Sequence, residues 1–245
     1  QGNVKMALQL SRKSKGLQKP HKGKREDSLA VFSTTFYQDN DEGRLRAGLA
    51  MRFVEGALKQ DCVDKVVVVD GGTKISGFVD ELKGHGAEVF PETKRGLPHS
   101  RRECLEKALE FNPDYLLWTE PEKIGMVECI PPMYAHIRKT NADILIPSRN
   151  SMVSYPEAQQ HSEAFGNARH TDYGYVAHDG SPIDTFAGPK LWRADISDCI
   201  LVFGHQKIPR ALADMRIEEG MRDYKFAYNE EHRVRELERA RIDLN

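Results

Sequence analysis

An α/β domain with a mostly parallel central sheet and helices on both faces is the architecture this sequence predicts. Three observations predict it. Short apolar segments alternate with stretches of helical periodicity throughout residues 29–146, and alternation with short loops calls for a parallel sheet. Lys65–Val69 is a lysine followed only by valines, the texture of a strand buried on both faces. The apolar segments end in polar, acidic or glycine-rich residues, and in open α/β sheets ligands sit beyond the carboxyl ends of the strands.

The elements follow in order. Leu29–Phe32 reads as a strand that ends in Ser33-Thr34-Thr35. Arg44–Leu58 has apolar residues at helical spacing. Lys65–Val69 is the second strand, stopped by Asp70-Gly71-Gly72, and Ile75–Leu82 is the next helix. Ala87–Phe90 is a third strand, and Ser100–Phe111 is a helix closed by Pro113. Tyr115–Trp118 is a fourth strand, ending at Thr119-Glu120-Pro121-Glu122. Met126–Arg138 is helical, with Pro131 and Pro132 expected to kink or split it. Asp143–Ile146 is a fifth strand, ending in Pro147-Ser148-Arg149-Asn150.

Beyond it the texture changes. Residues 151–184 lose the alternation and are rich in Gly, Asp, Asn, His and Tyr, which predicts a functional loop region. Thr185–Arg193 returns to order, and Lys207–Tyr224 and Glu230–Ile242 read as helices. Residues 1–27 carry many lysines and arginines and few large apolar residues. They read as a flexible basic arm, or as an arm that binds an anionic surface. The remainder, 28–245, reads as one domain.

Composition bounds the function. Apolar residues at 39% and charged residues at 30% suit a globular chain rather than a disordered one. A net charge of −1 gives no global reason to expect nucleic acid as a partner. No apolar run approaches the roughly 20 residues that span a bilayer. Cys62, Cys104, Cys129 and Cys199 are dispersed, without a C-x-x-C pair. Such cysteines read as small buried hydrophobes of a reducing compartment, so a cytoplasmic protein is expected.

Chemistry is expected at the strand ends. The Asp70 carboxylate could accept hydrogen bonds from a ribose or base, and Gly71 and Gly72 would let the backbone approach a ligand; D-G-G is also a common turn. Arg95 and Arg101 flank a helix start, where a diphosphate is favoured; the alternative is a pair of solvated arginines. Glu120 and Glu122, separated by Pro121, could share a hard divalent cation, Mn2+ or Mg2+; the alternative is a helix cap. Among the late histidines, His161, His170, His178 and His205, one could be a third ligand.

In their order these segments resemble family 2 glycosyltransferases of the GT-A fold. The resemblance is carried by VFSTTF (31–36), VVVDGG (67–72), RGLPHSRRECL (95–105), LLWTEPE (116–122) and FAGPKLWR (186–193). It implies the GT-A, or nucleotide-diphospho-sugar transferase, fold, with a nucleotide-binding half over 28–150 and an acceptor half over 151–245. It implies transfer of a sugar from a UDP- or GDP-linked donor to an acceptor of unknown class. Thr34, Thr35, Asp70, Gly71, Arg95, Arg101 and Glu120 would meet the donor nucleotide. Glu120 and Glu122 would hold the cation, as E-x-E where the family has D-x-D. Arg149, Gln159, Glu163, Tyr173 and Gly188 would face the sugar or acceptor. Ser154–Asn167 has the look of a subgroup-specific acceptor loop. An inverting enzyme would draw its base from Glu218 or Glu219; a retaining one would need none. A homo-oligomer is compatible with all of this.

Two other readings stay open. A nucleotidyltransferase shares the sheet, but usually has a Gly-, Arg- and Lys-rich loop after the first strand, where this chain has STTFYQDNDEG (33–43). A degenerate domain that binds a nucleotide sugar or a partner without catalysis would explain the E-x-E departure. A dinucleotide-binding domain is weakened by the missing G-x-G-x-x-G.

Overall fold

The computed structural model describes residues 27–149, 155–172, 176, 183–186, 188–197 and 212–216. A seven-stranded sheet runs in the order β3-β2-β1-β4-β6-β5-β7. The strands are β1 (Leu29–Thr35), β2 (Lys65–Asp70), β3 (Glu88–Pro91), β4 (Tyr115–Trp118), β5 (Ile144–Ser148), β6 (Lys190–Arg193) and β7 (Leu212–Arg216). The helices are α1 (Asp41–Leu58), α2 (Phe78–Gly84), α3 (Leu97–Leu109), α4 (Met126–Thr140) and α5 (Glu157–Asp172). All paired strands are parallel except β6, which runs against both β4 and β5.

Period-two alternation builds a core on each face of the sheet. Leu29, Val31, Val66, Val68, Leu117, Leu145 and Leu191 meet α1, α2 and α4 on one face. Their neighbours Ala30, Phe32, Val67, Val69, Leu116, Trp118, Ile144, Ile146 and Trp192 form the other core, with Cys104, Leu105 and Ala108 of α3. The valine run of β2 is buried throughout, and each such side chain contributes roughly 1.5–3 kcal/mol on leaving water. Phe32 lies between Trp118 and Trp192, at 5.3 and 5.4 Å.

The entry to α1 is fixed tightly. Asn40 is extended, and its side chain accepts the Gly43 N–H at 2.7 Å. A Cβ at Gly43 would lie 1.8 Å from the Gln38 carbonyl oxygen, so only glycine fits there. Asn40→Ala should cost about 1 kcal/mol. The check is a lower urea midpoint with an unchanged slope.

Two sequence expectations need correction, and of the kink or split expected at Pro131 and Pro132 the split does not occur. Residues 151–184 contain a helix, α5, rather than loop alone. None of its residues is buried, so it lacks the apolar periodicity by which a helix is read from sequence. Within Lys207–Tyr224, expected to be helical, Leu212–Arg216 is strand β7, paired in parallel to β5; pairing at the sheet edge overrides local propensity. The α4 helix runs through Pro131 and Pro132 as one element. The carbonyls that lose partners there belong to Val127, half-buried, and Glu128, exposed.

Among the described residues, no helix is long and apolar enough to cross a membrane. Cys104 and Cys129 are buried and Cys62 is half-buried, all as free thiols. The Cys104 thiol donates to the Ser33 carbonyl at 2.9 Å, and burial pushes its pKa up to about 12. It packs as a hydrophobe rather than acting as a nucleophile.

Candidate functional site

Because β1, β2, β4 and β5 are parallel, Thr35, Asp70, Trp118 and Ser148 all end at one edge of the sheet. The antiparallel β6 begins at that same edge, with Lys190 in register with Trp118. The candidate site lies along this edge.

At β1 and β2 the polar groups are committed to one another. Asp70 is buried, and its Oδ1 accepts the Thr35 hydroxyl at 2.8 Å and the Thr73 hydroxyl at 2.5 Å. Its Oδ2 accepts the N–H groups of Gly72 and Thr73, both at 2.9 Å. Four donors fill the acceptor sites of a carboxylate. Asp70 therefore folds the D-G-G-T turn. Gly71 sits tightly, with 3.3 Å between a built Cβ and Glu92 Oε2, and Gly72 has φ +86°. Thr34, beside them, is half-buried.

Past β4 the two glutamates part company. Glu122 is buried, and its Oε1 accepts the Tyr37 hydroxyl at 3.0 Å and two N–H groups of Arg46 at 3.0 and 2.6 Å. Burial, and then the Glu122 carboxylate, raise the Tyr37 pKa well above its ordinary value. Glu120 pairs instead with the Lys123 ammonium. Burial works to raise the Glu120 pKa, but Lys123, then Arg101 and Lys190, overcome it and hold the carboxylate below its usual range.

Those three cations come from three elements. Arg101 of α3 lies over the Trp118 ring at 5.0 Å, and its Nε is buried with no hydrogen-bond partner among the described residues. Lys190 of β6 is opposite Trp118. Its pKa is pushed down to about 8, first by burial and then by the charges of Lys123 and Arg101. The Lys123 side chain is only 12% exposed. It fits because residue 188 is glycine: a Cβ there would lie 2.4 Å from Lys123 Nζ and 3.1 Å from Glu120 Oε2.

These contacts engage both of the glutamates expected to share a cation. A Mn2+ or Mg2+ needs several convergent oxygens, and Glu120 and Glu122 are each taken by a positive side chain. Lys123, Lys190 and Arg101 would repel a dication at Glu120. Among the described residues no three His, Cys, Asp or Glu side chains gather as ligands. His161 pairs with Glu157 on an exposed surface, and His170 meets the Thr185 hydroxyl at 2.7 Å. His178 and His205 lie outside the described residues.

The acceptor candidates Arg149, Gln159 and Glu163 are brought together, in an ion-pair network that fastens α5 to the end of β5. The Arg149 guanidinium donates twice to Asp184, at 2.6 and 2.6 Å, and once to Glu163 at 2.6 Å. Burial opposes its charge, but the carboxylates hold its pKa above the ordinary value. Gln159 donates to Glu163 at 2.8 Å, and Asn167 links Asp184 to Thr185. Arg95 is exposed in the turn before α3. The basic arm except Asp27, together with Tyr173, Glu218 and Glu219, lies outside the described residues. Sequence reasoning missed Lys123, Lys190 and Asp184. Only the glycine-aromatic-basic segment FAGPKLWR hinted at Lys190.

Compared by sequence, the chain matches no protein-family profile and no curated protein. Solved structures do resemble it. The complex of glucosyl-3-phosphoglycerate synthase from Mycobacterium tuberculosis with Mg2+ and uridine diphosphate superposes with a TM-score of 0.51 at 11% identity, over 78% of this chain and 69% of that one. A complex of the same enzyme with Mn2+, uridine diphosphate and phosphoglyceric acid gives 0.50 at 11% identity, over the same shares. The 4-diphosphocytidyl-2C-methyl-D-erythritol synthase of Anaerococcus prevotii gives 0.51 at 11% identity, over 82% of this chain and 95% of that one. The likeness establishes the fold: the chain is an α/β domain of the GT-A type.

Proposed function

We propose that this chain is a glycosyltransferase of the family 2 type, moving a sugar from a nucleoside diphosphate sugar to an acceptor hydroxyl. The observation that carries the reading is the cationic cluster of Arg101, Lys123 and Lys190 at the carboxyl edge of a GT-A sheet. That edge is where such a sheet takes its ligand, and a diphosphate is a ligand of matching charge.

The nucleoside would lie along the ends of β1 and β2, against Thr34, Thr35 and the backbone of Gly71 and Gly72, with Asp70 holding the turn in shape. Arg101, and Arg95 from its exposed turn, would face the diphosphate. In the reaction the bond from the anomeric carbon to the diphosphate oxygen breaks and its electron pair leaves with that oxygen. The acceptor oxygen forms the new bond. Fixed positive groups aimed at the departing oxygen stabilise it most as its charge grows. An inverting course needs a base on the acceptor hydroxyl, and Glu218 or Glu219, after β7, are the candidates. Tyr173 and the α5 region would border the acceptor.

The nucleotidyltransferase reading is disfavoured by the start of α1. A phosphate there would find the Gly43 N–H already capped by Asn40, with Asp41 and Glu42 in the first turn. The test is a thermal-shift screen with UDP, GDP, CDP and their sugars, followed by mass detection of released nucleoside diphosphate. At a hundred times Kd a ligand should add about 2.7 kcal/mol to stability. One nucleoside diphosphate is expected to raise Tm clearly, and its sugar conjugate to be consumed. A shift without turnover would mark a binding domain. No shift with any of them would overturn the proposal.

A further inference from the structure

We propose that Lys123, Lys190 and Arg101 take the place of a divalent cation, binding the donor diphosphate directly, so that donor binding needs no metal. This rests on the nucleotide-sugar reading above and adds to it the chemistry of the diphosphate subsite.

The geometry carries it. Three cations from α3, β6 and the β4–α4 connection act on the Glu120 carboxylate just past the end of β4. Trp118 is their common support: Arg101 lies over its ring, and Lys190 is its partner across the β4–β6 pair. In an antiparallel pair, residues in register present their side chains to the same face, so Lys190 and Arg101 share the α3 side. Lys123 is brought in by its ion pair with Glu120 and by the missing side chain at Gly188. All three cations are partly withdrawn from water, and the buried Arg101 Nε is a donor with no acceptor among the described residues. The complementary ligand is compact, oxygen-rich and multiply negative, as a diphosphate is. A metal centre supplies the same service, neutralising the leaving diphosphate. Here ammonium and guanidinium groups stand where the cation's charge would be needed, and Glu120 serves to seat Lys123.

The test is calorimetric titration of the full-length protein with inorganic pyrophosphate and with the nucleoside diphosphate that raises its Tm, first in EDTA and then, for the nucleotide, in Mg2+ or Mn2+. Both ligands should bind in EDTA, and the added metal should leave nucleotide affinity unchanged. Lys190→Met should weaken pyrophosphate binding by about tenfold or more, the worth of a hydrogen bond to a charged group, while Lys190→Arg should retain most of it. Gly188→Ala, which displaces the Lys123 ammonium without removing its charge, should weaken it too. If a variant fails to fold, the wild-type comparison in EDTA and a fall in affinity with added salt decide the matter. Binding that appears only with Mg2+ or Mn2+ overturns this proposal and leaves the transferase reading standing. Pyrophosphate bound without metal, with no nucleoside diphosphate bound at all, supports the anion site and removes the nucleotide-sugar reading. No pyrophosphate binding in EDTA overturns the proposal.

Discussion

Arg149→Met should destabilise the protein by about 3–5 kcal/mol, the usual cost of removing one partner from a buried ion pair. The arginine side chain is 5% exposed, and its two carboxylate partners, Asp184 and Glu163, are 14% and 13% exposed. Methionine keeps the bulk of the stem, so the loss is electrostatic rather than a cavity. The effect should concentrate on α5, which buries no residue of its own. That helix is held by Arg149, by the Asn167 bridge to Asp184 and Thr185, and by the Phe186 ring against Gly166, where a Cβ would come within 2.4 Å. Hydrogen exchange should show α5 opening while the sheet stays protected. The pH dependence supplies a sign. Burial tends to raise the Asp184 pKa, but Arg149 and Asn167 overcome it and hold the carboxyl below the usual aspartate range. A depressed pKa contributes stability that is present above the unfolded value and is lost as pH falls through the folded one. In the variant, Asp184 is buried without its cation and favours the protonated form. The gap between wild type and Arg149→Met should therefore narrow as pH falls below about 4. A gap that is constant with pH would mean that the cost is not electrostatic.

Glu122→Ala should cost about 2–3 kcal/mol in buffer without any divalent cation, because a charge-assisted site loses its acceptor. Two donor side chains, Arg46 and Tyr37, are left facing a missing carboxylate. Arg46 is 46% exposed and recovers some hydration, whereas the Tyr37 hydroxyl is buried and does not. Adding Mg2+ or Mn2+ should leave the difference between wild type and variant unchanged. Glu120→Ala should behave differently: its side chain is 41% exposed, so little stability is lost, and the site is left more positive. The measurement is the urea midpoint of each variant with and without metal. A Glu122→Ala protein as stable as wild type, but deprived of a stabilisation that metal gives the wild type, would restore Glu122 as a cation ligand.

The inner strands were legible because their signal is local. A valine run, a Y-L-L-W segment and polar strand ends report burial on two faces and the edge where ligands gather, and β1, β2 and β4 lie where those patterns put them. The α5 helix was not legible, because a helix held by ion pairs to a distant arginine and aspartate has no apolar stripe to read. Strand β7 was hidden in a stretch of helical spacing that sheet pairing overrides. Along the carboxyl edge, Asp70, Arg101 and Glu120 were singled out from their positions after strands and near a helix start. Their partners were not found. Lys123 is a lone lysine after Glu122 and Lys190 one basic residue within FAGPKLWR, and nothing local marks either.

By itself, then, the sequence determined the α/β alternation, the parallel inner strands and the edge at which ligands are expected, since each follows from the side chains of adjacent residues. Only the tertiary structure decided the reversed strand β6 between β4 and β5, and with it the meeting of Lys190 and Lys123 with Arg101. It also decided that Glu120 and Glu122 go to different cations. The physical reason is that charge pairing depends on distance in space, and the residues that set it here are brought together by strand order across the sheet rather than by spacing along the chain.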